Sequence, residues 1–420
     1  MLDRRAFLVE AAAVLAGPAL ASSAIGQPFE ALAGTARADI QPFRISVPDE
    51  QIIDLKRRLA QTRWPDTLDK TGWSDGTNLN YLQGLVSYWR DRFDWRAQEA
   101  RLNRLPQFKY EVDGLGLHFV HQRGDGPAPI PLILNHGWPG SFTEFERVLP
   151  LLTQPGSHGG DPRDAFHVIV PSMPGYGFSD APRERGVNSR RIASMYAKLM
   201  TGLGYERFGA QGTDWGASVA TWLAFDNPNR VSKLHLNLIP LGYDPPTGPG
   251  QPPKTAEETA FLERIASWSK SEGAYGAIQG TKPQSLAYGL NDSPAGLAAW
   301  IVEKFHAWGD NRPTMDDHFG IDRILTDISI YWFTGTIGSS MRLYFENRQN
   351  PFQFEAGEKV RTPTGVAIFP ADIPMPPRSW VERGYNVDRW TAMPRGGHFP
   401  AMEEPQLLVE DIRTFFRPGR

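Results

Sequence analysis

The stretch Phe208-Gly209-Ala210-Gln211-Gly212-Thr213-Asp214-Trp215-Gly216 constrains this chain more than any other. Its Gly-x-nucleophile-x-Gly spacing is that of a nucleophile elbow, a strained strand-to-helix turn that drives its central side chain into a cavity. Small residues flank the centre because a larger Cβ there collides with neighbouring backbone. The central residue is an aspartate where a serine is usual. A serine needs a base to become nucleophilic, whereas a carboxylate is already charged at neutral pH. It can displace a leaving group from a saturated carbon and leave an alkyl ester on the protein. That chemistry opens epoxides or removes halide.

The surrounding pattern predicts the sheet such an elbow needs. Short apolar runs at 131–135, 167–170, 208–212 and 232–239 read as buried parallel strands, with helices at 191–203 and 217–225 between and after them. Ahead of them, 108–112 and 115–121 form a hairpin around Asp113-Gly114. The alternation pauses after Pro240, in a Gly- and Pro-rich stretch followed by a mostly helical region to about Asn347. It resumes with strands at 366–369 and 387–391 and a last helix at 404–416. A helical insertion between two halves of a sheet is what a cap over a site looks like. The N-terminal part is predicted to be helical. Ser46-Val47-Pro48-Asp49 reads as a helix start with a side-chain acceptor at its cap, Trp64-Pro65 as its end, and a second helix spans 81–91.

Three further motifs fall in an order that supports one chemistry. His136-Gly137-Trp138-Pro139-Gly140-Ser141 follows the strand at 131–135, where this architecture places one backbone donor of an oxyanion hole. The second donor is the residue after the nucleophile, so the candidate N–H groups are those of Trp138 and Trp215. Gly396-Gly397-His398-Phe399-Pro400 lies between the last strand and the last helix, the place of the base in the chain order of α/β-hydrolases. His136 precedes the nucleophile and is expected to buttress its own loop. The acid that orients His398 is expected to be Asp372, after the strand at 366–369, with Asp244 as the competitor.

At 420 residues the chain can bury a large core, and its formal net charge of −3, without Lys/Arg runs, argues against nucleic acid or an anionic membrane surface as partner. Arg4-Arg5 followed by the apolar 11–16 and the small residues at 19–21 resembles a twin-arginine export signal, so a periplasmic or extracellular destination is expected. The apolar stretch is too short to span a bilayer comfortably, and no integral membrane span is expected in the mature protein. The absence of cysteine rules out disulfides and is compatible with export in folded form.

Taken together, His136 to Ser141, Pro174-Gly175-Tyr176-Gly177-Phe178-Ser179, Asp292-Ser293-Pro294, Gly396 to Phe399 and the N-terminal phrases Ile40-Gln41-Pro42-Phe43, Tyr88-Trp89-Arg90 and Phe93-Asp94-Trp95 carry a family resemblance. In this order they resemble the microsomal-type epoxide hydrolases of the α/β-hydrolase superfamily. With the expected export signal at 1–26, where animal members of the class carry a membrane anchor, the resemblance implies an N-terminal meander at 39–112, a hydrolase core at 113–245 and 351–418, and a helical cap at 246–350. It also implies two cap tyrosines that hold and protonate the epoxide oxygen. The matching positions are Tyr275 and Tyr344, with Tyr331 the nearest competitor to the latter. Some members of the class use Glu where this chain has Asp372, and relatives often carry glycine at the position of Thr213.

The expected reaction is hydrolysis of a small apolar epoxide to a vicinal diol through an ester on Asp214, using water and no metal or organic cofactor. A haloalkane dehalogenase sharing the aspartyl ester is the rival reading, although a halide leaves without protonation. A ligand-binding hydrolase homologue without catalysis is the alternative of another class. The oligomeric state is not legible.

Overall fold

Among the described residues nine strands build one sheet, and its order explains why the elbow sits inside that sheet and not at an edge. The computed structural model describes residues 39–245 and 252–417, so the expected export signal at 1–26 lies outside the described residues. The strands are β1 (Ile40–Pro42), β2 (Gln107–Val112), β3 (Leu115–Gln122), β4 (Ile130–Asn135), β5 (Phe166–Pro171), β6 (Phe208–Gly212), β7 (Val231–Leu236), β8 (Val360–Ile368) and β9 (Tyr385–Ala392). They lie in the order β1-β2-β3-β5-β4-β6-β7-β8-β9. The β1–β2, β2–β3 and β3–β5 pairs are antiparallel, and all pairs from β5 to β9 are parallel. This is the α/β-hydrolase fold.

β6 is buried along its whole length, between β4 and β7, which suits a short run without charge. Parallel strands place their C-terminal ends on one edge of the sheet, and ligands of such sheets bind beyond that edge. The loops after β4, β8 and β9 carry Trp138, Asp372 and His398, and the helix after β6 begins at Asp214, so the topology gathers residues far apart in sequence. Between β7 and β8, seven helices from Ala256–Glu272 to Ile337–Gln349 form the inserted segment among the described residues. Its first helix opens with a capping box in which Thr255 and Glu258 satisfy each other's backbone amides.

The N-terminal helices brace this inserted segment. Tyr81 and Tyr88 donate through their hydroxyls to Asp316 and Asp322 at 2.6 and 2.9 Å. Trp89 Nε1 donates to Ser329 Oγ at 3.0 Å, and Arg58 pairs with Asp292 at 3.0 Å. No helix among the described residues is long and apolar enough to cross a membrane.

Several local expectations shift. The first helix is Asp49–Ala60, capped by Pro48 with no side-chain hydrogen bond, and it ends before Trp64-Pro65. Pro48 occupies the cap, so the acceptor read at Ser46 lies two residues too early. The helix ends as its apolar stripe ends at Leu59, and of the residues that follow Gln61 and Arg63 are exposed and Thr62 half-buried. β1 and the helix Trp95–Leu102 were not expected: the strand is three residues long, and the helix has a weak apolar stripe. β8 begins at Val360, earlier than the apolar run, because pairing with β9 extends it through polar residues. The Asp113-Gly114 hairpin is present, with φ of 54° and 76°, the left-handed pair that a two-residue turn of this kind demands.

Candidate active site

Asp214 is the first residue of the helix Asp214–Asp226, directly after β6, and its φ of 47° is left-handed. A non-glycine residue there is strained, and the surrounding packing must hold it. The two glycines make that possible. A Cβ on Gly212 would lie 2.3 Å from the carbonyl oxygen of Gly216, and one on Gly216 would lie 2.0 Å from that of Asn135. Gly137 does the same for the neighbouring loop, since a Cβ there would meet the Asp214 side chain at 2.3 Å. Thr213, the larger residue inside the elbow, is accommodated as its Oγ1 accepts from Asn237 Nδ2 at 2.9 Å.

The carboxylate has two polar neighbours from the core. Trp138 N–H donates to Asp214 Oδ1 at 2.8 Å, and His398 Nε2 lies 3.5 Å from Oδ2. The other expected donor, Trp215 N–H, makes no hydrogen bond to this carboxylate; it lies at the open end of the helix backbone. On its far side His398 Nδ1–H donates to Asp372 Oδ1 at 2.6 Å, which fixes the tautomer and aims Nε2 at Asp214. Asp244 is exposed on its loop, so the structure brings Asp372 and not Asp244 to the histidine. Burial disfavours the imidazolium, but the Asp372 and Asp214 carboxylates outweigh it and push the His398 pKa up to about 10.

His136 stays with its own loop. Its Nδ1–H donates to Gly137 O at 3.0 Å, its Nε2 accepts from Met173 N–H at 3.2 Å, and burial lowers its pKa to about 4.

The cap covers the carboxylate with aromatic rings. Tyr275, on the helix Ala274–Gln279, and Tyr344, on the helix Ile337–Gln349, meet edge to face with ring centroids 5.8 Å apart. Tyr275 stacks on Trp138 at 5.5 Å, and Tyr344 meets Trp215 edge-on at 4.8 Å. Burial raises both phenol pKa values well above the ordinary range, and the Asp214 charge adds to the rise, so both stay protonated. Tyr344 OH makes no hydrogen bond of good geometry, and the Tyr275 hydroxyl and the Trp215 indole are its polar neighbours. Tyr331 instead donates to Gly140 O at 2.8 Å and so serves the loop after β4. A cavity of about 20 Å³, room for one water-sized group, is lined by Asp214, Trp215, Ser218, Leu241 and Tyr344.

A buried carboxylate at the elbow, an oriented histidine behind it and two neutral phenols in front make up the site. The family described as Epoxide hydrolase N terminus matches residues 40–145, and the alpha/beta hydrolase fold family matches 130–297. Epoxide hydrolase 1 of Oryctolagus cuniculus is 41% identical over 401 residues, covering 90% of this chain and 88% of that protein. The chain belongs to the epoxide hydrolase family. Two solved members superpose on this one closely. Aspergillus niger epoxide hydrolase has a TM-score of 0.78 at 32% identity, covering 90% of this chain and 96% of that one. Juvenile hormone epoxide hydrolase from the silkworm Bombyx mori has a TM-score of 0.77 at 30% identity, covering 90% and 93%.

One residue of this family member's site gave no signal in the sequence. Trp308, at the end of the cap helix Pro294–Trp308, packs against His398 at 5.0 Å and against Tyr275 at 5.1 Å. Its carbonyl accepts the His398 N–H at 2.9 Å. A tryptophan ending an apolar helix reads as core, and only the folded chain places it between His398 and Tyr275.

Proposed function

We propose that this protein hydrolyses an apolar epoxide to a vicinal diol in two steps, through an ester on Asp214. The observation that carries the reading is the arrangement across Asp214, with His398 Nε2 at 3.5 Å on the core side and the Tyr275–Tyr344 pair on the cap side. In the first step an Asp214 oxygen attacks a ring carbon and the C–O bond breaks. A phenol hydroxyl donates its proton to the departing oxygen, which an alkoxide needs and a halide does not. Two neutral phenols at this place therefore favour epoxide over haloalkane.

Alkylation of Asp214 removes one of the two charges that hold His398 protonated. The imidazolium then gives its proton to the phenolate left by the first step and becomes a base for water, with Asp372 keeping its orientation. Water passes a proton to His398 and attacks the ester carbonyl, and the oxyanion is received at the Trp138 N–H with Trp215 N–H as second donor. Collapse with that proton on the departing oxygen releases the diol, and the Asp214 carboxyl proton returns to His398. Each of these roles uses a side chain or amide of this chain. The pattern at 1–26 supports an exported enzyme, to be checked by fractionating cells that express the full chain.

Single turnover in oxygen-18 water tests the covalent step. The diol of the first turnover should carry no label, and the peptide containing Asp214 should gain it. Label passing directly into diol would sink the ester mechanism.

A further inference from the structure

His398 is held by more than Asp372. Four consecutive backbone amides around it are all paired, and every acceptor belongs either to the cap or to one buried acid, Glu403. Gly396 N–H donates to Asp310 Oδ2 at 3.1 Å, and His398 N–H to Trp308 O at 2.9 Å. Gly397 N–H and Phe399 N–H donate to Glu403 Oε2 and Oε1 at 2.9 and 2.7 Å. The same Oε2 also accepts the N–H of Asp310 at 2.7 Å. One carboxylate thus joins both flanks of the histidine to the cap backbone.

The fit is close. A Cβ on Gly397 would lie 2.6 Å from Trp308 O and 2.8 Å from Asp310 N, so the histidine loop lies directly against the cap. Glu403 is only 5% exposed, with His318 Nε2 at 3.6 Å from Oε2. Burial pushes its pKa up to about 7, and the amides of Asp310, Phe399 and Gly397 oppose that rise, as donors to an ionised acceptor do. A carboxylate suits this place because both oxygens accept. A glutamine would turn an amide N–H₂ toward Phe399 N–H or toward the other two donors.

We propose that Glu403 is a positioning residue for the hydrolytic half of the reaction, clasping the backbone on both sides of His398 to the cap at Asp310. The proposal rests on the two-step reading above. Alkylation needs no base, so a displaced His398 leaves ester formation alone. Ester hydrolysis needs Nε2 within reach of a water at the Asp214 carbonyl, and a misplacement of about 1 Å costs roughly 100-fold.

The test is a rapid-quench single turnover of full-length Glu403→Gln with styrene oxide, following the Asp214 peptide by mass. Ester decay should slow by roughly 10- to 100-fold while ester formation stays within about 3-fold, so adduct accumulates. Equal slowing of both steps, or of neither in folded protein, overturns the proposal. His398→Gln run alongside separates the two readings. If it accumulates adduct and Glu403→Gln does not, the clasp fails and the mechanism stands. If it accumulates none, the two-step reading falls and the clasp with it. Should Glu403→Gln not fold, Asp310→Ala removes the Gly396 acceptor together with the Arg312 ion pair, and Arg312→Ala run beside it accounts for the pair. Asp310→Ala should show the same split at roughly 3- to 10-fold, and an even effect on both steps counts against the clasp.

Discussion

The two sides of Asp214 are built differently. On the core side, Trp138 N–H, His398 and Asp372 are linked by hydrogen bonds of 2.8 and 2.6 Å or by a 3.5 Å contact, from loops at the ends of parallel strands. On the cap side, Tyr275 and Tyr344 are held by rings, against Trp138, Trp215, Trp308 and each other. Ring packing fixes a phenol's position without using its hydroxyl, so the proton stays available to a substrate oxygen. The histidine's outer nitrogen must be tied down for the opposite reason, since its lone task is to keep the inner one aimed.

The comparison predicts that each side governs its own step, and it can be broken in stages. Asp214→Ala, which serves both, should abolish diol formation in steady-state assays. His398→Gln should stop turnover yet still form adduct, with hydrolysis down by roughly 100- to 10,000-fold. No adduct with a substrate that the wild type hydrolyses would remove the division. Tyr275→Phe or Tyr344→Phe should slow ester formation by roughly 10- to 100-fold each, and the double variant by more, with ester decay unchanged. A phenylalanine pair that slowed decay instead would place the phenols in the wrong step.

The electrostatics sharpen the same contrast. His398 titrates near 10, above its ordinary ~6.5, because two carboxylates face it. A raised pKa contributes stability that is whole below ~6.5 and is lost as pH rises through about 10. Relative to His398→Gln, the urea midpoint of the wild type should therefore fall across that window. Asp214→Asn should bring the imidazole pKa down, as seen by NMR of the ring, because it removes one of the two facing charges just as the proposed ester would. An unchanged ring pKa would mean that Asp214 does not control the base. Smallest, Gly212→Ala should destabilise by about 1–3 kcal/mol through its backbone clash, measured by thermal melting.

How much of this was legible varies with how local each feature is. The elbow could be read because its constraint is local: Gly212 and Gly216 are forced by backbone within a few residues or one strand away. The sheet could be read because buried parallel strands leave short apolar runs, whereas β1 and the polar start of β8 exist only by pairing. Asp372 and Asp244 had to remain alternatives, since both follow a strand, and the difference lies in which carboxylate reaches His398. Tyr275 and Tyr344 came from family resemblance, as nothing in an isolated tyrosine tells a proton donor from packing.

By itself, then, the sequence determined the carboxylate at the elbow, the order of loops behind it and the cap inserted between the sheet halves. Those follow from spacing, and spacing is written along the chain. Tertiary structure alone decided which acid orients the base, where the phenols face, and that Trp308, Asp310 and Glu403 seat the histidine loop. Such contacts join residues tens to hundreds of positions apart, or, for Glu403, one turn past the histidine with no periodic mark. Their geometry exists only once the backbone amides have found their acceptors.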